Sequence, residues 1–212
     1  MAAETVLRAD AERNRRQLVL AAMSVFPEQG YEAPMSAIAQ EAGVGVGTLY
    51  RRFPDRTALL VAVRQESVQT LLAAAQRAAQ EEPSAWEALV RITVHSRELR
   101  LSMRTRDSLP IETQQALAAD EHSTTLRRQL LTVIDHLVAA AQQQGSMRPD
   151  VGGGDVARLL ALVNIPPRHS GDSDDIMARR LAAIVLDGLR AGQHPPLPGE
   201  PIGGSELIPS GG

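Results

Sequence analysis

Three kinds of residue that many functional sites depend on are absent or scarce in this chain of 212 residues. There is no cysteine, so disulfide bonds, thiolate nucleophiles and cysteine-ligated metals are excluded. There is no lysine either, because all 22 basic residues are arginine. Aromatic residues make up only 2%, and alanine and leucine fill the apolar positions. This composition favours close-packed helices over sheets, which prefer β-branched and aromatic side chains.

Long apolar runs and a strong basic excess are also missing. No window approaches the ~20 apolar residues of a membrane span, and MAAETVLRAD at residues 1–10 has no apolar stretch of a secretory signal. We therefore expect a cytoplasmic protein without membrane contact. The formal charge is −3, but residues 13–64 carry seven arginines against four acids, a local +3. The net charge does not suggest a nucleic-acid binder, but this local excess of arginine is compatible with an anionic partner.

Apolar periodicity predicts an all-α fold of about nine helices with no sheet. In the first helix, expected over residues 10–29, the apolar positions from Leu18 to Phe26 form one stripe at helical spacing. A capping box of Ser84 and Glu87 begins the fifth helix. The remaining helices are expected over about 35–42, 46–53, 55–80, 97–110, 112–144, 155–165 and 174–191.

This pattern predicts three parts. A three-helix head over residues 10–56 is joined by a long helix to an all-helical body over residues 57–192. Residues 193–212 are rich in proline and glycine, and we expect them to be disordered.

The stretch GVGVGTLYRRFPDR at residues 43–56 decides most of the functional interpretation. A dinucleotide-binding loop needs G-x-G-x-x-G between a strand and a helix. Counted from Gly43 the third glycine would fall at Thr48, and counted from Gly45 it would fall at Tyr50. The preceding segment is helical as well, and a P-loop would need a lysine. Nucleotide binding is therefore disfavoured.

A helix-turn-helix explains the same residues. Such a motif joins two short helices by a tight turn, and the second helix enters the major groove of DNA. Gly43 tolerates the positive φ that the turn needs, and Val44 fills the angle between the helices. Gly45 and Gly47 permit close approach to a phosphate backbone, where the amides and dipole at the start of the helix favour an anion. We expect Leu49 and Phe53 to face the core, so that the polar side chains of the second helix face outward.

The motif also resembles the signature of TetR/AcrR-type transcriptional regulators, A-G-V-x-x-G-T-L-Y-x-x-F followed by a charged residue and A-L-L. The matching positions are Ala42, Gly43, Val44, Gly47, Thr48, Leu49, Tyr50, Phe53, Arg56 and Ala58 to Leu60, with Phe26, Gly30, Tyr31, Ile38 and Ala39 upstream. The resemblance covers about residues 10–60, and GSMRPDV and VLDGLRAG resemble, more weakly, a C-terminal domain of one branch.

The resemblance implies a set of DNA-binding residues, with some departures. Ala33-Pro34-Met35 replaces the usual Ser or Thr cap of the second helix, which leaves the phosphate contact to Ser36. Arginine stands at positions 52 and 56, where the family often has histidine and lysine. The expected DNA-binding residues are Ser36, Val46, Gly47, Thr48, Tyr50, Arg51, Arg52, Arg56 and Arg15.

The resemblance further implies a homodimer that binds a double-stranded, palindromic operator and releases it when a small-molecule effector binds the body. Candidate pocket residues are His95, Arg97, Leu99 and Met103. Candidate residues of the dimer seam are Leu159, Leu160, Val163, Leu181, Ile184, Val185 and Leu189.

No catalytic set, metal site or cofactor motif is recognisable. The five histidines have no carboxylate partner at i, i+4, and Asp135 and His136 point to different helical faces. The expected function is therefore a non-enzymatic transcriptional regulator. Two alternatives stay open: a helical small-molecule binder that has lost DNA affinity, which the neutral sum of residues 1–70 suggests, and, with no positive support, a nucleotide-dependent enzyme.

Overall fold

The computed structural model describes residues 2–95, 109–163 and 172–208, and these residues form helices without a β-strand. The described helices, nine in number, confirm the predicted all-α class. They are α1 (Ala2–Gln29), α2 (Met35–Glu41), α3 (Val46–Arg52), α4 (Arg56–Glu81), α5 (Ala85–His95), α6 (Ile111–Ala119), α7 (Glu121–Gln143), α8 (Gly153–Val163) and α9 (Asp172–Leu189), followed by a 3-10 helix, Gly204–Leu207.

One predicted helix is two helices. Residues 112–144 were expected to be continuous, but Asp120 has φ −74° and ψ 98°, which ends α6 before α7 begins. The Asp120 carboxylate accepts a hydrogen bond from Gln65 Nε2 at 2.9 Å. The residue at the break between α6 and α7 is thus bonded to a partner 55 residues away in the sequence. The helix expected over 97–110 lies largely outside the described residues.

The chain divides into two compact units. The first comprises residues 1–66 and 104–120, and the second comprises residues 67–103 and 121–212. The division falls inside α4, after Glu66, whereas the predicted head ended at residue 56. The first unit also includes α6, which the sequence placed in the body.

Each unit has its own apolar core. In the first unit the completely buried leucine and isoleucine side chains are Leu18, Ile38, Leu49 and Leu59, which come from α1 to α4. In the second unit the core is built from the later part of α4 and from α5, α7, α8 and α9, with Leu72, Trp86, Leu89, Leu130, Ile134, Val138 and Leu160 among its members.

The proline- and glycine-rich tail differs from its prediction. Residues 193–208, here called the C-terminal strap, are held by hydrogen bonds to α7, to α8 and to the loop between them rather than left disordered. Ile202 accepts a hydrogen bond from the Gly154 N–H at 2.8 Å and donates to Asp155 Oδ2 at 3.0 Å. Gly204 N donates to Asp135 Oδ1 at 3.0 Å. The composition of the tail predicted disorder because composition carries no information about hydrogen-bond partners on other helices.

Three consecutive glycines permit close packing here: Gly152 and Gly154 make room for the strap, and Gly153 makes room for Asp135 of α7. A Cβ on Gly152 would lie 2.1 Å from the Ile202 carbonyl oxygen, and one on Gly154 would lie 2.4 Å from that of Gly203. A Cβ on Gly153 would meet Asp135, at 2.9 Å from its Cα. Because two of these obstacles are backbone oxygens and the third includes a backbone carbon, side-chain rotation cannot relieve them.

We expect Gly153→Ala to destabilise the chain by roughly 1–3 kcal/mol, the usual cost of overpacking. Gly188→Ala is the matched control, because Gly188 also lies in a helix but a Cβ there meets nothing within 4 Å. Alanine at that position should be neutral or stabilising by up to ~1 kcal/mol. Urea unfolding followed by circular dichroism measures both changes. Equal stability of the two variants would show that α7 and α8 do not approach as described.

An arginine–aspartate pair anchors the start of the strap. Arg148 Nε donates to Asp150 Oδ1 at 2.6 Å, and Arg148 Nη2 donates to Asp150 Oδ2 at 2.9 Å and to the Pro195 carbonyl at 2.9 Å. Asp150 Oδ2 also accepts the Leu197 N–H at 2.9 Å. The Arg148 guanidinium, and then the Leu197 N–H, hold the pKa of Asp150 well below its ordinary range. The carboxylate therefore stays ionised at neutral and mildly acidic pH.

Candidate nucleic-acid interface

The turn between α2 and α3 is set by Gly43. This residue has φ +67°, in the left-handed region that side chains disfavour. Its N–H donates to the Gln40 carbonyl at 3.0 Å, and the Val44 N–H donates to the Ala39 carbonyl at 2.9 Å. These two bonds satisfy carbonyls at the end of α2 in the pattern of a Schellman motif. The glycine therefore ends α2 and redirects the chain, as predicted.

The rotation of α3 about its axis is fixed by an apolar pair. Leu49 is completely buried and Phe53, the residue that ends the helix, is 3% exposed. Val46 and Tyr50 lie one turn apart beside this buried pair, with 45% and 50% of their surfaces exposed. Gly47, Arg51 and Arg52 are exposed as well. The predicted inward and outward faces of α3 are therefore those of the structure.

Arg51 has a defined position on this outer face. Its Nη2 donates to Thr48 Oγ1 at 3.0 Å, three residues back along the helix. Arg15, on α1, stacks its guanidinium over the ring of Phe53 with Cζ 5.4 Å from the centroid. Cation–π contact of this kind fixes a charged group next to an aromatic ring. The predicted residues Thr48, Arg51 and Arg15 thus lie on or beside α3.

Ser36 and Arg56 have contrasting surroundings. Ser36 is exposed on α2, which Pro34 begins without a side-chain cap. Arg56 is only partly exposed, and its Nη1 donates to the carbonyls of Tyr31 and, at 2.6 Å, of Ala33. Its Cζ also lies 5.2 Å from the centroid of the Tyr31 ring. Arg56 therefore stabilises the loop between α1 and α2, a role that the sequence did not predict.

A hydroxyl cluster in the first unit was missed by the sequence analysis. Thr113, on α6, lies 3.0 Å from Thr57 Oγ1 and 3.4 Å from the Tyr31 hydroxyl. These three side chains attach α6 to the loop after α1 and to the start of α4. Their separations of 56 and 82 residues leave no local signal that could have revealed the cluster.

The predicted pocket residues Arg97, Leu99 and Met103 lie outside the described residues, as does the side chain of His95 at the end of α5. The seam candidates are divided. Leu181 and Ile184 are exposed, whereas Leu159 and Val185 are partly buried, and the side chain of Val163 is not described. Leu160 and Leu189, at 4% and 7% exposure, belong to the core of the second unit and are unavailable for a seam.

The described part of the chain has neither a metal-binding cluster nor a membrane-spanning helix. No three His, Asp or Glu side chains there are grouped so that they could hold a metal ion. None of the helices in these ranges has the length and apolarity that crossing a bilayer requires.

The short α2, the glycine turn and the outward-facing α3 define the class of protein, an all-helical protein with an N-terminal helix-turn-helix. Comparison with known families agrees. Residues 18–63 match the family model described as bacterial regulatory proteins of the tetR family. Residues 103–191 match the model of the C-terminal domain of SbtR-like transcriptional regulators.

Solved structures extend the similarity over most of the chain. The TetR transcriptional regulator SCO0520 from Streptomyces coelicolor is 30% identical, with a TM-score of 0.62, and the match covers 84% of this chain and 99% of that one. A TetR regulatory protein from Mycobacterium vanbaalenii is 29% identical, with a TM-score of 0.59, over 87% and 99% of the two chains. The chain therefore belongs to the TetR family of transcriptional regulators.

Similarity to a curated relative covers a smaller share of the chain. The repressor KstR of Mycolicibacterium smegmatis is 41% identical over 78 residues, which are 36% of this chain and 38% of KstR. The matched span is therefore well under half of that relative, and it says nothing about which molecules the second unit binds.

Proposed function

We propose that the protein is a dimeric repressor that binds a palindromic DNA operator through α3 and releases it when a small molecule binds the second unit. The observation that carries the proposal is the division of α3 into a buried pair, Leu49 and Phe53, and an exposed face with Tyr50, Arg51 and Arg52. An exposed helix with two guanidinium groups and a phenol suits the major groove and its flanking phosphates.

Two exposed groups, Tyr50 and Arg51, and the partly exposed Arg15 supply the phosphate contacts in this proposal. Tyr50 offers a hydroxyl, and Arg51, oriented by its hydrogen bond to Thr48, offers a guanidinium. Arg15 adds a charge that Phe53 holds in place, close to the end of α3. Each neutralised phosphate should steepen the salt dependence of binding by ~0.9 in log affinity per log salt concentration.

The dimer seam of the proposal is an apolar face on α8 and α9. Met177, Leu181 and Ile184 are exposed and follow one another at i, i+4 and i+7, so they lie on one side of α9. Leu162 and Ile176 are exposed too. Contiguous exposed apolar side chains typically mark an interaction surface. A second copy of the chain is the partner we propose, because a helix-turn-helix protein reads a palindrome with two-fold symmetry.

Release by an effector is the remaining step. Binding of a small molecule to the second unit would shift α4, which runs through both units, and so change the separation of the two copies of α3. Such a coupling requires that the effector and the operator prefer different arrangements of the dimer. Because the second unit is rich in aliphatic side chains, we propose an effector with a substantial apolar part.

DNase I footprinting on the DNA flanking the gene of this protein tests the proposal. We expect protection of two inverted half-sites whose centres lie one helical turn, or a multiple of it, apart. Affinity should fall steeply with salt. If no flanking fragment is protected at low salt by a folded dimer, the protein is instead a helical binder without DNA affinity.

A further inference from the structure

We propose that Val46 reads the C5-methyl group of a thymine in each half-site, and so determines sequence specificity at that base pair. The inference rests on the proposed function and assigns one side chain on α3 to one chemical group of the DNA. It concerns base recognition, whereas the contacts described above concern phosphates.

The position of Val46 favours contact with a base edge. Val46 is the first residue of α3, and the N-terminal residues of a recognition helix contact base edges. It lies on the same side as Tyr50, and 45% of its surface is exposed although it is apolar. The buried positions of α3 are taken by Leu49 and Phe53, which leaves Val46 at the surface.

The neighbours of Val46 allow a close approach. Gly45 and Gly47 flank it, and a Cβ placed on either would meet nothing within 4 Å. The residues before and after Val46 in the sequence therefore have no side chains that could keep its two methyl groups away from the DNA. A short side chain can touch a base edge only if the backbone comes near, and these glycines leave space for that approach.

The chemistry of the three residues selects the group that they can recognise. Gly45, Val46 and Gly47 carry no side-chain donor or acceptor, so their side chains cannot pair with the N7, O6 or amino groups of the bases. The thymine methyl is the apolar group that the major groove displays. Valine is also rigid at χ1, so ordering it on contact costs little conformational entropy.

The test uses the operator defined by footprinting. Duplexes carry deoxyuridine in place of thymine at one symmetrical pair of positions at a time, which removes only the methyl groups. Fluorescence anisotropy then measures the affinity of the wild-type protein and of Val46→Ala. At one pair of positions we expect wild-type affinity to fall roughly fourfold per half-site, about fifteenfold in total, the value of one buried methyl per contact.

Val46→Ala should bind the same duplexes without that sensitivity, so the two changes are non-additive in a double-mutant cycle. Tyr50→Phe is the matched control, because it alters the same face of α3 but keeps the ring and leaves Val46 in place. It should retain the full response to deoxyuridine at that position. Circular dichroism of each variant checks that α3 and its surroundings remain folded.

The outcomes separate this inference from the proposed function. If the wild type binds the operator but the response to deoxyuridine is equal in wild type and Val46→Ala at every position, the thymine contact is overturned and the repressor proposal stands. If the folded wild type binds no duplex at all, the proposed function fails and the inference fails with it. A deoxyuridine effect that Val46→Ala removes at a single symmetrical position supports the assignment.

Discussion

Replacing Tyr50 and Arg51 together with alanine should weaken operator binding by at least about a hundredfold per half-site, about ten-thousandfold in total, while the protein stays folded. A hydrogen bond to a charged group contributes about 1.5–3 kcal/mol, and each half-site loses two such contacts. Both side chains are exposed, so no core contact is lost, and alanine is a good helix former. Anisotropy titrations at several salt concentrations measure the effect, and the salt slope should become shallower as well.

Arg77→Ala is the control for the change in net charge. Arg77 is an exposed arginine of α4 in the second unit, and its removal lowers the net charge as Arg51→Ala does. Its operator affinity should stay within about twofold of the wild type, because screening limits distant charges. Operator binding by the double variant at near wild-type strength would mean that α3 does not carry the phosphate contacts.

A single charge on the exposed face of α9 should convert the proposed dimer to a monomer. Ile184 is 64% exposed in the isolated chain, so Ile184→Asp is expected to leave the fold of the monomer intact. In a two-fold interface the change would bury two unpaired carboxylates, each costing several kcal/mol. We expect the dimer dissociation constant to rise at least about a thousandfold, with operator affinity falling in parallel. Analytical ultracentrifugation over a concentration series gives the constant directly.

Ile111→Asp controls for placing a carboxylate on a helix surface. Ile111 lies on α6 and is 73% exposed, so the chemical change is the same but the proposed seam is untouched. This variant should remain dimeric. A monomeric wild type, or an Ile184→Asp variant that sediments as a dimer, would place the contact between subunits on another surface.

The elements that sequence predicted well are those whose causes are local. Gly43 ends α2 because the left-handed conformation is needed within the turn itself, and the N–H groups of Gly43 and Val44 donate to carbonyls of α2. The buried and exposed faces of α3 follow from the spacing of Leu49 and Phe53, four residues apart. Both the glycine of the turn and the apolar spacing of the helix can be read directly from the amino-acid sequence.

The features that sequence missed depend on distant partners. Asp120 separates α6 from α7 and accepts a hydrogen bond from Gln65. The C-terminal strap is held by hydrogen bonds from its N–H groups to the carboxylates of Asp135 and Asp155. Arg56 matches a charged position of the family motif, yet its guanidinium bonds the carbonyls of the loop after α1. In each case the hydrogen-bond partner lies more than twenty residues away in the sequence, so neither helix propensity nor apolar spacing could predict the contact.

Amide hydrogen exchange across residues 43–56, with and without the footprinted operator, tests most directly whether α3 is the surface that meets DNA. We expect the operator to slow exchange of the amides in Val46–Arg52, because bound DNA would cover the exposed face of this short helix. Operator binding with unchanged exchange throughout these residues would contradict this placement of the DNA-binding surface.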